Sequence, residues 1–261
     1  MAGATFENII YEKKGAVAVL TINREKALNA INGQTSREMQ TAWEDFRDDD
    51  ALRVAILTGV GEKSFSTGMD LVATAQGENQ FAGRPAPFGG FTKRMPIYKP
   101  IIAAINGYCL AGGMELALAC DIRICAPEAR FGLPEVRWAI MPGAGGTQRM
   151  PRAIPQAWAN YLILTAEQID AETARSIGLV SHIVPREDLL DRAMQIAAII
   201  CERGPLAVRA AKETILRGMD MPLDHGLAYE DLVLGRLMAT DDAKEGPRAF
   251  AEKRKPEYKG R

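Results

Sequence analysis

The chain has 261 residues, of which 47% are apolar and 25% are charged, and its formal net charge is -1. This length allows a large buried core, and the composition is typical of an ordinary soluble globular protein. A net charge near zero argues against a broad basic surface, so we predict no nucleic acid partner. The N-terminus lacks a basic start with an apolar run, and no stretch reaches membrane-spanning length. We therefore expect a cytoplasmic protein that does not associate with membranes.

Cysteine and histidine offer little for metal or nucleophilic chemistry. The four cysteines form no Cys-x-x-Cys pair and lie in or beside apolar segments, which predicts buried free thiols. The two histidines, His182 and His225, are beside no serine or cysteine motif. We predict neither a metal site nor a histidine-based triad.

The first half of the chain alternates between two kinds of apolar pattern. One helix is predicted from a capping box at 35–38, followed by Met39, Ala42, Trp43 and Phe46 at helical spacing. Short β-branched runs bounded by turns predict strands at 17–22, 54–58, 101–105 and 122–126. Strands that alternate with helices predict an α/β core.

From about Ala157 the pattern becomes almost wholly helical. A helix that starts at Pro222 is expected to carry one apolar stripe, and an earlier helix another. The stripes are Leu190, Ala193, Ala197 and Ile200, and then Leu223, Leu227, Leu234 and Leu237. We divide the chain into a core, 1–200, and a helical oligomerisation region, 201–261, whose apolar surface packs on a neighbouring subunit.

Residues 73–92 form a long insert rich in glycine and proline, with Phe81, Phe88 and Phe91 spaced through it. Such an insert either lines a binding site or is a mobile loop, and both interpretations stay open.

Two glutamates stand beside glycine-rich turns. Glu115 follows Gly112-Gly113, whereas Glu135 follows Gly132 and precedes a further glycine cluster at 143–146. Two carboxylates that converge on one substrate can divide the roles of acid and base. Either glutamate alone is more typical of a solvated surface residue, so the glycines are what make the pair a candidate site.

The first of these turns joins an apolar strand to an apolar helix at 114–119. The first N–H groups of a helix lack an intrahelical partner, and the helix dipole is positive there. Two such donors aimed at one point would stabilise a developing oxyanion. A tight helix entry packed on a strand is the competing interpretation of Gly112-Gly113.

Taken together, the motifs resemble the crotonase superfamily, and within it the enoyl-CoA hydratases. The resemblance runs from Asn23-Arg24 to 249–254, nearly the whole chain. It is carried by the segments 65–70, 106–116, 131–135 and 142–149. It implies an α/β fold, a spiral of ββα units with a C-terminal helical trimerisation module, assembled as a homotrimer or a dimer of trimers.

The resemblance also implies an activity, the reversible hydration of trans-2-enoyl-CoA to 3-hydroxyacyl-CoA in fatty acid β-oxidation. Glu115 and Glu135 match the two catalytic glutamates, and the backbone N–H groups of Met69 and Gly112 match the oxyanion hole. Gly143, expected at the start of the helix after Pro142, matches a position that helps to polarise the thioester. No metal or redox cofactor is implied, since CoA is part of the substrate.

Further residues match positions that contact the substrate. Arg24 and Lys26 lie in a segment expected against CoA, and Phe250 and Lys253 are expected to reach the nucleotide end from a neighbouring subunit. A solvated basic helix end is the simpler interpretation of 253–255. The remaining matched positions are Ser66, Gly68, Asp70 and Leu71.

Departures from the family pattern leave the acyl group open. Met69 stands where a smaller residue is common, Thr67 stands where alanine is usual, and Trp138 is a bulky candidate for the pocket wall or the core. One alternative is a hydratase or dehydratase of a specialised acyl-CoA, carnitinyl or cyclic. An isomerase is less favoured because it would not need both glutamates. A non-catalytic acyl-CoA-binding protein is an alternative from another class.

Overall fold

The computed structural model describes residues 6–77, 86–93 and 95–261. Phe81 lies outside these residues, so the predicted insert is described only at its two ends. The strands are β1 (Ile9–Lys14), β2 (Val17–Ile22), β3 (Val54–Gly59), β4 (Ser64–Ser66), β5 (Ile101–Ile105), β6 (Tyr108–Leu110), β7 (Ile122–Cys125), β8 (Arg130–Gly132), β9 (Ile169–Asp170) and β10 (His182–Ile183). The helices are α1 (Gly33–Asp48), α2 (Leu71–Ala75), α3 (Gly112–Ala119), α4 (Gly146–Ala153), α5 (Gln156–Thr165), α6 (Ala171–Ser176), α7 (Leu189–Cys201), α8 (Pro205–Gly218), α9 (Leu223–Met238) and α10 (Asp241–Ala251).

The strands form two sheets. One has the order β1-β2-β3-β5-β7-β10 and the other β4-β6-β8-β9, and most neighbours within them are parallel. Three successive units, β3-β4-α2, β5-β6-α3 and β7-β8-α4, each supply one strand to each sheet and then a helix. The predicted α/β fold with a spiral of ββα units is therefore confirmed.

The central strands are apolar on both faces because each face packs on a different core. In β3, Ala55 and Leu57 join the larger cluster, whereas Val54 and Ile56 join a smaller one that includes Ala193 of α7. Alternate residues of a strand point to opposite faces, so continuous apolar runs are expected in a sheet covered on both sides. This explains why the four predicted strands lie where the sequence indicated them.

The start of α1 differs from the prediction. The N-cap is Asn32, whose side chain accepts a hydrogen bond from the Thr35 N–H at 2.9 Å, so the capping box at 35–38 is wrong. Glu38 instead accepts hydrogen bonds from the N–H groups of Glu7 and Asn8. The helical spacing is correct, since Met39, Ala42, Trp43 and Phe46 are all fully buried. Asn32 thus accepts from the Thr35 N–H, which in a capping box would donate to the Glu38 side chain.

The second half is mainly helical, as predicted, but it also contributes the two-residue strands β9 and β10 to the two sheets. The buried stripe of α7 begins at Leu189, because Leu190 is exposed. The predicted helix at 114–119 begins two residues earlier, at Gly112.

The last helices have little buried surface. In α8 only Pro205 is buried, and α9, which packs on α8, has no buried residue. Leu223 is 75% exposed on α9, and Phe250 is 88% exposed on α10. Among the described residues, no helix is long and apolar enough to cross a membrane.

Candidate active site

The turn after β4 packs directly on the start of α3. Gly68 has a φ of +90°, and a Cβ added to it would lie 2.6 Å from the Gly112 nitrogen. A Cβ on Gly113 would collide with the carbonyl oxygen of Ser66. Only glycine allows this approach without displacing the backbone, so the two glycines bring the peptides of Met69 and Gly112 together.

Ile31 fixes the orientation of the Met69 peptide. Its N–H donates to the Gly68 carbonyl at 2.7 Å, and its carbonyl accepts from the Asp70 N–H at 2.9 Å. Within the described residues, no protein acceptor takes a hydrogen bond from the N–H of Met69 or Gly112. Two backbone donors are therefore held side by side, as an oxyanion hole requires.

Ala111, directly before α3, has a backbone conformation that favours glycine, with φ 51° and ψ -129°. Its N–H donates to the Gly132 carbonyl at 3.0 Å, and its carbonyl accepts from the Glu115 N–H at 3.1 Å. Such conformations cost about 1–3 kcal/mol and persist where surrounding contacts impose them. Here they set the direction of the next peptide, which carries the Gly112 N–H.

Glu115 lies in the first turn of α3 and is 3% exposed. Its Oε1 accepts hydrogen bonds from the N–H groups of Ala144 and Gly146, both at 2.7 Å. Burial raises the pKa of Glu115, and the two N–H donors together with the charges of Lys93 and Arg149 counteract that rise. The carboxylate form of Glu115 is thus directly stabilised.

The turn that supplies these donors differs from the prediction. Helix α4 begins at Gly146, so Gly143 is not at its start but in the preceding turn, where it is exposed. The first N–H of α4 binds Glu115, so this helix start holds a protein carboxylate. A Cβ on Gly146 would lie 3.1 Å from Glu115 Oε1, which explains the glycine.

Glu135 lies in the 3₁₀ helix Pro134–Trp138 and is 7% exposed. Its Oε2 is buried without a hydrogen-bond partner among the described residues. Burial raises the pKa of Glu135 to about 7, and the charge of nearby Glu115 adds to the rise. Two interacting carboxylates resist double ionisation. Ionisation of both carboxyl groups is therefore disfavoured, and Glu135 holds its proton to higher pH than an ordinary glutamate does.

Phe88 covers the start of α3, since a Cβ on Gly112 would collide with its ring. Its segment is anchored by the Trp43 Nε1–H, which donates to the Gly89 carbonyl at 3.1 Å. Phe91, also from the predicted insert, is buried and packs on Trp43 in a tilted arrangement with ring centroids 4.7 Å apart. Residues 88–91 of the insert therefore pack beside the candidate oxyanion hole at Gly112.

The predicted substrate-binding residues near β4 have internal partners. Arg24 Nη1 pairs with Asp70 Oδ2 at 2.9 Å, and Asp70 Oδ1 caps α2 by accepting from the Ala73 N–H at 3.0 Å. The Ser66 Oγ donates to the Asn29 carbonyl at 2.8 Å. The hydrogen bonds of these side chains therefore stabilise the turn that contains Met69.

Other predicted residues are accessible. Lys26 is exposed in a 3₁₀ helix, and Leu71 is 40% exposed at the first position of α2. Phe250 and Lys253 lie in the helical tail. No hydrogen bond or ion pair of the described residues joins these two to Glu115 or Glu135.

Comparison with known proteins identifies the family. The family model described as enoyl-CoA hydratase/isomerase matches residues 12–261. The chain belongs to this family. It is 44% identical over 253 residues to an (E)-benzylidenesuccinyl-CoA hydratase of Thauera aromatica, covering 97% of this chain and 99% of that protein. It is also 44% identical over 253 residues to a short-chain-enoyl-CoA hydratase of Clostridium acetobutylicum, covering 96% and 97%.

A solved structure has the same fold. The crystal structure of an enoyl-CoA hydratase from Mycobacterium marinum superposes with a TM-score of 0.92 at 42% identity, covering 97% of this chain and 99% of that chain. The predicted superfamily, the hydro-lyase class and the hydration of enoyl-CoA are thus confirmed at the level of the family.

The sequence prediction missed four contributors to the candidate site. These are the N–H groups of Ala144 and Gly146, the strained Ala111, and Arg149, which reaches the same turn. The glycines at 143–146 were a signal for the first two. Nothing in the sequence pattern marked Ala111, because alanine is unusual in that conformation.

Proposed function

We propose that this hydratase adds water across the double bond of a trans-2-enoyl-CoA, with Glu115 as the base and Glu135 as the acid. The N–H groups of Met69 and Gly112 would hold the thioester carbonyl oxygen. The proposal rests on one observation above all. Two buried glutamates, one held by two backbone N–H donors and the other with an unpartnered oxygen and a pKa of about 7, lie beside two backbone donors that have no described protein acceptor.

The proposed chemistry follows from polarisation of the thioester. Hydrogen bonds to the carbonyl oxygen draw electrons from the conjugated double bond, so C3 becomes electrophilic. Glu115 takes a proton from water while the oxygen of that water bonds to C3. Glu135 then gives its proton to C2. Each glutamate reverses its role in dehydration, so both directions need one proton on the pair.

The surroundings of the glutamates support this division of roles. Two backbone donors stabilise the carboxylate form of Glu115 against the rise in pKa that burial causes, and they fix one of its oxygens. Glu135 has an unpartnered buried oxygen and a pKa near the working pH, about 7. A proton carrier whose pKa lies near the operating pH is the most efficient acid.

We also propose that CoA binding and assembly involve the exposed predicted residues. Lys26 offers a solvent-facing cation for a CoA phosphate, and the 88% exposed Phe250 offers an aromatic face for a neighbouring subunit's nucleotide. The exposed leucines of α9 support a homotrimer or a dimer of trimers built by residues 201–261. Light scattering should give three or six copies, and a monomer would contradict this part.

The acyl group has two candidates. A short unbranched enoyl group agrees with the clostridial relative, and crotonyl-CoA is its natural probe. A bulkier, aromatic acyl group is the second candidate, because Trp138 and Met141 are 65% and 70% exposed just after Glu135. The relative named as a benzylidenesuccinyl-CoA hydratase supports the same candidate. Cytoplasmic location, a role in β-oxidation and independence of cofactors stay predictions.

The test is loss of the enoyl-thioester absorbance with crotonyl-CoA, hexenoyl-CoA and cinnamoyl-CoA. Turnover of at least one is expected, and the ratio of their kcat/KM values separates the two acyl candidates. Binding without turnover of any would favour the non-catalytic acyl-CoA-binding alternative.

A further inference from the structure

Arg149, in the first turn of α4, reaches two separate backbone segments. Its Nη1 donates to the Ala144 carbonyl at 3.1 Å, and its Nη2 donates to the Thr92 carbonyl at 2.7 Å. The guanidinium also packs directly on Gly145, where an added Cβ would collide with Nη1. One planar group thus joins the turn before α4 to the segment 88–92.

The first of these segments holds the base. Ala144 gives its carbonyl to Arg149 and its N–H to Glu115, so one residue connects the cation with the carboxylate. Gly146 supplies the second N–H to the same oxygen of Glu115. A shift of this turn would therefore move the base.

The second segment covers the oxyanion hole. The buried Thr92 donates its hydroxyl to the Phe88 carbonyl at 2.8 Å, and the Phe88 ring lies on Gly112. Trp43 holds the middle of this segment through Gly89. Arg149 fixes its other end, at Thr92.

We propose that Arg149 is a positioning residue. It holds the turn 144–146, which binds Glu115, at a fixed distance from the segment 88–92, which covers Gly112, so that the base and the oxyanion hole contact the same substrate. This inference rests on the proposed function. Arginine suits the role because its rigid fork donates from two nitrogens in fixed directions, whereas lysine donates from a single point. A shift of about 1 Å in such a site is enough to cost roughly 10²-fold in rate.

The charge of Arg149 gives a second, separable effect. The charged groups that act on Glu115 are Lys93 and Arg149, and Glu135 interacts with Glu115 as the other carboxyl. Removing a cation raises the pKa of Glu115. The acidic limb of the pH profile of kcat/KM should then move to higher pH.

The experiment compares Arg149→Met and Arg149→Lys, with Arg152→Met as the matched control. Arg152 is on the same helix but exposed, and among the described residues it donates only to Gln148. We expect kcat on crotonyl-CoA to fall about 10²-fold in Arg149→Met, with an acidic limb at higher pH. Arg149→Lys keeps the charge, so the limb should stay while kcat falls about 10-fold. The control should match the wild type in both.

Hydrogen exchange provides a readout that does not need turnover. Exchange of the Ala144 and Gly146 amides should accelerate at least ~10-fold in both Arg149 variants and not in the control. Unchanged exchange would overturn the proposal, as would a kcat of Arg149→Lys equal to the wild type. If Arg149→Met fails to fold, Arg149→Lys decides the question. A wild-type protein that hydrates no enoyl-CoA would refute the proposed function, while exchange would still test the position of Arg149.

Discussion

The surroundings of Glu115 and Glu135 differ, although the two side chains are almost equally buried. One oxygen of Glu115 accepts hydrogen bonds from two backbone N–H groups, and the cations Lys93 and Arg149 lower its pKa. Glu135 lies in a short 3₁₀ helix, and its Oε2 has no hydrogen-bond partner among the described residues. Burial alone raises the pKa of any carboxyl group, so in our proposal the backbone donors distinguish Glu115, as the base, from Glu135.

Removing either carboxyl group should have the largest effect. In Glu115→Gln no base is left for the water, and in Glu135→Gln no acid is left for C2. We expect kcat on crotonyl-CoA to fall at least ~10²-fold in each, because a positioned acid or base contributes about 10²–10⁴-fold. Steady-state assays check this, and wild-type rates in both variants would show that the glutamates are not catalytic.

A smaller perturbation of the Glu115 side is Gly146→Ala. The new Cβ would lie 2.9 Å from Pro142 Cβ and 3.1 Å from Glu115 Oε1, so the turn or the carboxylate must shift. We expect a fall in kcat of about 10-fold, since displaced catalytic groups lose orientation. The control is Thr147→Ala, at the next residue of α4. This substitution only removes atoms, so activity should be retained. Equal rates in the two variants would contradict the close fit of this turn.

On the Glu135 side, neutralising the carboxyl group should stabilise the fold. The pKa of Glu135 is about 7 in the folded protein against 4.5 as its ordinary value. Folding therefore loses stability as pH rises from about 4.5 to 7, because the unfolded chain releases this proton first. Glu135→Gln should raise the free energy of unfolding at pH 8 by up to ~3 kcal/mol, and hardly change it at pH 4.

Denaturant titrations at both pH values check this prediction. The control is Glu187→Gln, at an exposed glutamate remote from the pair in sequence. A Glu135→Gln effect that was the same at pH 4 and pH 8 would contradict a raised pKa.

The smallest expected effect compares two strained alanines. Ala111, before the Glu115 helix, has φ 51° and ψ -129°, whereas Ala139, after the Glu135 helix, has φ 56° and ψ 29°. The second is an ordinary left-handed conformation, and the first is far less accessible to alanine. Ala111→Gly should stabilise by about 1 kcal/mol, because relief of the backbone strain outweighs the entropy that glycine adds to the unfolded chain. Ala139→Gly should stabilise by less, because less strain is relieved there. Thermal unfolding measures both, and the reverse order would count against strain at Ala111.

Much of this comparison could be predicted from the sequence. Apolar runs located the central strands, since strands covered on both faces need them. The glycines beside Glu115 and Glu135 predicted a candidate site, because close backbone approach requires glycine. The capping-box prediction was wrong because Asn32, three residues before Thr35, accepts from the Thr35 N–H in place of the Glu38 side chain.

Other features depend on tertiary contacts that no local pattern encodes. The start of α4 was misplaced because Gly143 to Gly145 form a turn whose shape is set by Glu115 and Arg149. The roles of Arg149 and Phe88 depend on contacts between residues 92 and 149 and between residues 88 and 112. Sequence spacing also does not set the pKa of either glutamate, because each pKa depends on the buried surroundings of that carboxyl group.

The most direct test of the unequal pair is a titration of its carboxyl groups by carbon NMR, with ¹³C-labelled glutamate. Glu135→Gln and Glu115→Gln assign the two signals, although the steps of an interacting pair belong to both groups. We predict a step near pH 7 that disappears in Glu135→Gln, in agreement with the pKa of about 7. If the pair titrated fully below pH 5, both glutamates would be ionised at neutral pH, and the division into base and acid would be wrong.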